Sequence, residues 1–362
     1  MNTTADAGAI VCGALGPRIS DLAARIAAAD AFPQLVSLAP QVRDIGSGLL
    51  ADDVGAGLAS RVIGALNDRL SVRVVTLVAA AHRLPAATWC WLAFGSEGRG
   101  ERTLVTDQDN GIIFSAADAA EAQAMRQLFQ PFGHAANEAL AACGVPLCTG
   151  GIMAGNPAWC LSLDEWRRHF SSWIRSPDPT ALLNATIFFD FRCVYGDAGL
   201  AEQLRRYLLG LSAANDAFTR MMATNALSVA PPLGLFGDVV DAPGDAGGIY
   251  LKLLGARLFV DAARIFALAA GLAPVGTVAR LHAAATQGGL DKTLAAAAAQ
   301  AFSSIQYLRF CAQADALATS RPVGNCVSSK DLNEFEHRLL KAALKQAQQV
   351  QQHMKRHFRL DA

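Results

Sequence analysis

Two aspartates stand one residue apart in the sequence TDQDNGIIF, where a buried strand is predicted. Burying like charges side by side is costly unless a cation or hydrogen-bond donors compensate them. Because side chains alternate along a strand, Asp107 and Asp109 are predicted to point to one side, with Gln108 and Asn110 on the other. Mg²⁺ prefers such hard oxygen ligands, together with substrate phosphates. The aspartate pair is therefore a candidate metal site.

A glycine-serine pair and two arginines precede the aspartates in the sequence GSEGRGERT. The backbone N–H groups of Gly95 and Ser96, together with the serine hydroxyl, are suited to binding a phosphate. Arg99 and Arg102 are predicted to neutralise phosphate charge as forked donors. The sequence thus predicts a phosphate site next to the candidate metal site.

The same stretch has other interpretations. The sequence DNG between apolar runs is also typical of a β-hairpin with Asn110 and Gly111 at its turn, and this alternative stays open. A Ca²⁺ loop is excluded, because its glycine comes five residues after the first aspartate, whereas Gly111 comes four after Asp107. The glycines form neither a P-loop nor a dinucleotide-binding fingerprint, since Gly-Lys-Ser/Thr is absent and their order is G-x-x-G-x-G.

The composition is that of a helix-rich globular protein. Of 362 residues, 52% are hydrophobic and 17% are charged, which argues against disorder. The formal net charge is zero, so the overall charge does not indicate a nucleic-acid partner.

The sequence also bears on location. No basic segment precedes the first apolar run, and no stretch of about 18 residues is apolar enough to span a bilayer. The eight cysteines contain no C-x-x-C pair, and most are predicted to be small apolar residues of the core in a reducing compartment. We therefore expect a soluble cytoplasmic protein with no membrane partner.

Hydrophobic periodicity predicts a small α/β core between helical segments. Helices are predicted over residues 18–84 and 116–144. Strands are predicted at 89–94, at 111–114 and within 145–155, the last being followed by a glycine-rich turn.

The C-terminal part is predicted to be a helical bundle that follows a Gly- and Asp-rich linker at residues 237–252. Its last helix is predicted to start at a capping signal, Ser328-x-x-Asp331, and to carry an apolar stripe that includes Phe335. Four helical segments are predicted: around 250–271, 277–287, 290–319 and 328–358.

These motifs resemble a known superfamily. A Gly-Ser pair, ten further residues and then Asp-x-Asp at a strand start resemble the signature of the DNA polymerase β-like nucleotidyltransferases. The sequence WLAFGSEGRGERTLVTDQDNGIIF is more closely similar to the nucleotidyltransferase family DUF294, whose core resembles the uridylyltransferase domain that modifies the bacterial nitrogen-regulatory protein PII. The similarity continues through GVPLCTGGIMAGNPAW, FFDFRCVYGD and YLKLLGARLFVDAARIFALAAGL, and it covers roughly residues 30–360.

The resemblance implies an α+β fold with a small mixed-sheet nucleotidyltransferase core between an N-terminal helical segment and a C-terminal helical bundle. The corresponding segments are a helical lead-in at 1–85, the core at 86–236 and the C-terminal domain at 237–362.

The resemblance also implies roles for the candidate residues. Gly95 and Ser96 would hold the triphosphate of an NTP. Asp107 and Asp109 would bind Mg²⁺, with two ions expected, to activate an acceptor hydroxyl and stabilise the pyrophosphate leaving group.

Many members of the superfamily supply a third carboxylate from a later strand, but the predicted strand VPLCTGGIM contains none. Asp190 is the candidate for this third catalytic carboxylate. The alternative is a structural role in which Asp190 orders Arg192.

A basic group further along the chain has two interpretations. Lys252 and Arg257 are candidates for contacting nucleotide phosphate. Alternatively, Arg257 forms an ordinary ion-pair ladder with Asp261 and Arg264, which share one helix face with it.

The resemblance implies an Mg²⁺-dependent transfer of a nucleoside monophosphate from an NTP to a hydroxyl. A protein acceptor in signalling or regulation is expected, as for the PII-modifying enzymes. The alternatives are a weak or inactive NTP-binding regulatory module and a nucleotidyltransferase that acts on small molecules.

Overall fold

The computed structural model describes most of the chain: residues 15–51, 55–235, 237–241 and 248–360. The N-terminus and the middle of the predicted linker lie outside the described residues. The chain divides into two compact units, one holding residues up to Phe170 together with Ile187–Tyr207, the other Ser171–Thr186 together with residues from Leu208 onward. The lead-in and the sheet share the first unit, and the division of the sequence at 85 and 236 stays a prediction.

Three helices precede the sheet, in agreement with the prediction for residues 18–84. They are α1 (Leu15–Ala28), α2 (Phe32–Ala51) and α3 (Ala56–Ala80). In α1 the residues Ile19, Leu22 and Ile26 are buried, as their helical spacing predicts. This apolar face packs α1 against α2 and α3.

The first unit contains a sheet of four short strands in the spatial order β3-β2-β1-β4. They are β1 (Trp89–Ala93), β2 (Asn110–Phe114), β3 (Cys160–Ser162) and β4 (Arg192–Gly196). β1 is antiparallel to β2 and β4, whereas β2 and β3 are parallel. With helices before and after it in sequence, this mixed sheet confirms the predicted α+β class.

The predicted position of the third strand is wrong. It was placed within residues 145–155, but β3 lies at Cys160–Ser162, where it pairs with Ile112–Phe114. Residues 145–155 form a loop, in which Gly151 has a φ of +68°, a left-handed conformation incompatible with a regular strand.

The hairpin alternative for the sequence DNG is also wrong. Asn110 and Gly111 both lie inside β2, opposite Ala93 and Leu92 of β1. A Cβ placed on Gly111 would lie 2.7 Å from the carbonyl oxygen of Trp159. Glycine at this position therefore permits a close approach of two backbones and does not make a turn.

In the described part of the chain, five helices lie between the strands or directly after them in sequence. They are α4 (Gly95–Gly98), α5 (Ala119–Ala142), α6 (Leu163–Arg175), α7 (Pro179–Phe188) and α8 (Ala198–Ala213). On one face, Phe129 and Phe132 of α5 lie 5.5 and 5.3 Å from the ring of Trp89. Beyond the other face, the rings of Phe94 and Phe188 are 4.9 Å apart. The contacts of Trp89 anchor the start of β1, and the Phe94–Phe188 pair anchors its end, where the candidate site begins.

The second unit is helical, as predicted. Its main elements are α9 (Asp216–Leu227), β5 (Ile249–Tyr250), a π-helix (Leu251–Ala256), α10 (Arg257–Ala269), α11 (Thr277–Gln287), α12 (Lys292–Ala318), β6 (Cys326–Val327) and α13 (Glu334–His357). The long helices α12 and α13 pack against each other. Among the described residues, no helix is long and apolar enough to cross a membrane.

The last helix begins later than predicted. Its N-cap is Asn333, not a residue of the Ser328-x-x-Asp331 signal. The side chain of Asn333 accepts from the N–H of Glu336 at 2.9 Å, and Glu336 accepts from the N–H of Asn333 at 3.0 Å. This reciprocal capping box satisfies two backbone donors at the helix start. Phe335, placed on the buried stripe by the prediction, is 63% exposed.

Candidate active site

The glycine-serine pair starts the short helix α4 directly after β1. Phe94 is its N-cap, and the N–H of Phe94 donates to the carbonyl oxygen of Asp109 at 2.8 Å. Gly95 has a φ of +55°, which favours glycine. A Cβ on Gly95 would lie 3.2 Å from Oδ2 of Asp109. The structure therefore brings the turn and this carboxylate together. Because Gly95 has no side chain, space remains between them.

The two aspartates lie in a segment without regular secondary structure just before β2, since the strand itself begins at Asn110. Asp107 and Asp109 are half-buried. Gln108 and Asn110 are only 0% and 2% exposed. The predicted alternation therefore holds in the segment before the strand, and solvent reaches both carboxylates.

Three buried amide side chains lie behind the aspartates. Gln108 donates through Nε2 to the carbonyl oxygen of Asn137 at 2.9 Å, and its Oε1 accepts from Nδ2 of Asn137 at 2.8 Å. Asn137 also donates to Oδ1 of Asn110 at 2.9 Å. Sequence analysis did not identify Asn137. One feature of the sequence could have identified it. Asn137 is a polar residue on the apolar face of a predicted helix, one turn from Gly133 and next to Ala136.

The loop at 145–155 also reaches the aspartates. The thiol of Cys148 is half-buried and close enough to Asp109 for the carboxylate to influence its pKa. Burial raises the pKa of this thiol, and the charge of Asp109 raises it further. Cys148 is therefore a neutral neighbour of the carboxylate at neutral pH.

Arg99 forms an ion-pair network inside the first unit. Its Nε lies 2.6 Å from Glu101, and its Nη1 lies 2.7 Å from Asp190. The Arg99 side chain is 11% exposed and that of Asp190 is 0% exposed. These pairs neutralise the guanidinium internally, so they do not support its role as a phosphate ligand, which stays a prediction.

Arg102 is similarly engaged. It forms an ion pair with Glu97 of α4, and the two side chains are 4% and 3% exposed. Burial raises the pKa of Glu97, while the charges of Arg102 and Arg192 oppose this shift. The pair joins α4 to the segment that follows it. The predicted contact between Arg102 and nucleotide phosphate remains untested.

Asp190 lies directly behind the turn. A Cβ on Gly98 would overlap its carbonyl oxygen, so glycine at position 98 allows α4 to pack on this backbone. The alternative in which Asp190 orders Arg192 is wrong. Arg192 instead lies 2.7 Å from Oδ1 of Asp68 and donates to the carbonyl oxygen of Glu97 at 3.0 Å. The catalytic role of Asp190 stays a prediction.

The basic residues near position 257 behave as the ladder alternative predicts. Arg257 and Arg264 lie 3.0 and 2.7 Å from the carboxylate of Asp261. Lys252 is exposed in the π-helix of the second unit. The ladder is confirmed, and phosphate binding by Lys252 stays a prediction.

The structure places a glycine-serine turn beside a carboxylate of the neighbouring segment, where β1 ends and β2 begins in the middle of a small mixed sheet, as the resemblance to nucleotidyltransferases predicts. Residues 40–180 match the family described as "Putative nucleotidyltransferase DUF294", and residues 216–358 match the domain described as "Putative nucleotidyltransferase substrate binding domain". The chain therefore belongs to the DUF294 nucleotidyltransferase family, which confirms the resemblance. A search of curated proteins finds no match.

Proposed function

We propose that the protein transfers a nucleoside monophosphate from an NTP to a hydroxyl group in a Mg²⁺-dependent reaction. The observation that carries this proposal is the 3.2 Å separation between a Cβ position on Gly95 and Oδ2 of Asp109. A phosphate held at the turn would lie next to a carboxylate able to bind a divalent cation. Membership of the family supports the same class of reaction.

The side chains present fit a cation that arrives with the nucleotide. Asp107 and Asp109 offer half-buried carboxylates. Within the described part of the chain, no group of three or more His, Cys, Asp or Glu side chains is placed to hold a metal. Mg²⁺ commonly uses one or two carboxylates together with phosphates and water, so the pair is sufficient. When bound, the cation would neutralise charge on the transferred phosphoryl group and the pyrophosphate.

The chain itself positions the triphosphate. The backbone N–H groups of Gly95 and Ser96 would donate to phosphate oxygens, and position 95 has no side chain in the space next to Asp109. The half-buried Ser96 adds a hydroxyl donor. Gly98 seats the turn on the backbone of Asp190, and Arg192 donates to the carbonyl oxygen of Glu97 at 3.0 Å. The turn is thus held in place before a ligand binds.

The acceptor in this proposal is a protein hydroxyl, and the biological role is regulatory. The similarity of the core to PII-modifying uridylyltransferases supports this choice. We place the reaction in the cytoplasm, where NTPs are available. A nucleic-acid partner is not part of the proposal, because the net charge of the chain is zero.

Pyrophosphate release tests the reaction class. Purified protein is incubated with ATP, UTP, GTP or CTP and a cell extract that supplies acceptors, with Mg²⁺ or with excess chelator. We expect release with at least one nucleotide and its loss on chelation. Binding without release under all conditions would contradict the transferase proposal.

One observation favours a second candidate, an NTP-binding regulatory module. The carboxylate of Asp190 is engaged by Arg99 at 2.7 Å instead of standing with the two aspartates as a metal ligand. A site without a third carboxylate could bind nucleotide with slow turnover. Tight Mg²⁺-dependent NTP binding in the absence of release would establish this candidate.

Ser96→Ala is expected to weaken NTP affinity about tenfold, because one hydrogen bond to a charged group contributes about 1.5 kcal/mol. The thermal stability should change little, since Ser96 is half-buried. Calorimetric titration with the active nucleotide measures the affinity. The matched control is Ser37→Ala, which removes an exposed hydroxyl from α2 of the same unit. Equal affinities of Ser96→Ala and wild type would contradict the phosphate role of the turn.

A further inference from the structure

The amide of Gln108 is saturated by hydrogen bonds in a dry environment. Its Nε2 donates to the carbonyl oxygens of Asn137 and Val145 at 2.9 and 3.0 Å. Its Oε1 accepts from Asn137 at 2.8 Å and from Asn110 at 3.2 Å. A buried amide with two donated and two accepted bonds has a single favourable orientation. The backbone between the two aspartates is therefore tightly fixed.

The other two amides hold the end of the 145–155 loop. Oδ1 of Asn110 accepts from the N–H of Ala154, and Oδ1 of Asn137 accepts from the N–H of Gly155, both at 2.8 Å. A Cβ on Gly133 of α5 would lie 2.6 Å from the carbonyl oxygen of Ala154. The loop end therefore sits directly on α5.

The start of the loop is attached to the same segment. The N–H of Gln108 donates to the carbonyl oxygen of Pro146 at 2.9 Å, two residues before Cys148. Both ends of the loop are thus hydrogen-bonded to the three amides or to their backbone.

We propose that Gln108, Asn110 and Asn137 are positioning residues for nucleotidyl transfer. They fix the aspartate segment and the 145–155 loop to each other, so that the carboxylates keep one geometry beside the glycine-serine turn. This inference rests on the proposed function. None of the three amides needs to touch the substrate, because each acts through the backbone that carries Asp107 and Asp109.

Gln108→Met removes both donors and the acceptor while nearly keeping the side-chain volume. Since misplacement of reacting groups by about 1 Å can cost a hundredfold in rate, we expect kcat to fall about 10- to 100-fold. The KM for the nucleotide should change less than about threefold, because the turn is untouched. Binding of Mn²⁺ to the nucleotide-loaded protein, followed by electron paramagnetic resonance, should weaken as well.

Gln108→Glu is the isosteric variant. It keeps the shape of the side chain and removes the two N–H donors to the carbonyl oxygens of Asn137 and Val145. We expect kcat and Mn²⁺ binding to fall and the KM for the nucleotide to change less than about threefold, as for Gln108→Met. A merely structural role would not separate kcat from KM in this way.

The matched control is Trp166→Phe. It removes one buried hydrogen bond in the same unit, from Trp166 Nε1 to the carbonyl oxygen of Ile112 at 3.1 Å, and keeps an aromatic ring. We expect it to lower the melting temperature as much as a Gln108 variant does, with kcat and Mn²⁺ binding within about twofold of wild type.

The outcomes separate this inference from the proposed function. If wild type releases no pyrophosphate with any NTP, the proposed function and this inference both fail. If wild type is active, and both Gln108 variants keep its kcat and Mn²⁺ affinity below their melting temperatures, only the positioning role fails. Should Gln108→Met not fold, Gln108→Glu decides.

Discussion

Replacement of Asp107 and Asp109 together by asparagine is expected to lower the rate of pyrophosphate release about a thousandfold. A divalent cation contributes several kcal/mol of charge stabilisation in the transition state, and each 1.4 kcal/mol corresponds to about a factor of ten. Neutral amides would weaken cation binding while keeping the size of each side chain. The initial rate with the active nucleotide at saturating Mg²⁺ measures the effect.

The fold should survive this double replacement. Both side chains are half-buried and carry like charges one residue apart, so removing the charges relieves repulsion. We expect a melting temperature equal to or above that of wild type. A rate within threefold of wild type would show that the metal assignment is wrong.

A matched control changes the net charge by the same amount at a distance from the turn. Asp21→Asn with Asp164→Asn removes two carboxylates of the first unit that are each 66% exposed. We expect full activity from this control. A similar loss in both double variants would indicate that overall charge, and not a metal site, governs the rate.

Local patterns explain why much of the fold was predictable. Helical spacing identified α1 through Ile19, Leu22 and Ile26, and an aromatic run before a glycine identified β1. The two-residue period placed Asp107 and Asp109 on one side and Gln108 on the other. Each of these features depends on neighbours within a few residues.

Features fixed by distant residues were not predictable in the same way. β3 is only three residues long, and its position is set by parallel pairing with β2, whereas the apolar start of the 145–155 loop has the composition of a strand. Asn137 becomes a partner of Gln108 only after α5 packs on the sheet, 29 positions away in sequence. The periodicity of apolar residues in the sequence does not show that β3 pairs with β2 or that Asn137 pairs with Gln108.

The arginines show a further limit. Arg99 and Arg102 stand beside the glycine-serine turn in sequence, which is where phosphate ligands were expected. In the structure both are paired with carboxylates, Arg99 with Glu101 and Asp190, and Arg102 with Glu97. An arginine near a turn can pair either with the phosphate of a ligand or with a carboxylate of the protein, and only the packing of the fold distinguishes the two roles.

Arg102→Met is expected to destabilise the protein by about 3–5 kcal/mol at neutral pH, because it leaves the buried carboxylate of Glu97 without its partner. The exposed pair of Arg25 with Asp21 supplies the control. Its side chains are 50% and 66% exposed, so Arg25→Met should cost less than about 1 kcal/mol. Denaturant unfolding of both variants gives the free energies.

The loss caused by Arg102→Met should depend on pH. Burial raises the folded-state pKa of Glu97, so its contribution to stability is fully present below the ordinary glutamate pKa and is lost as the pH rises through the folded value. The positive charge of Arg102 lowers the pKa of Glu97, so in Arg102→Met the pKa of Glu97 in the folded state rises further. The penalty should therefore be small near pH 4, about the ordinary glutamate value, and grow towards pH 8. Adding Glu97→Gln should remove this pH dependence. An equal penalty at both pH values would mean that the charge of Glu97 does not require Arg102.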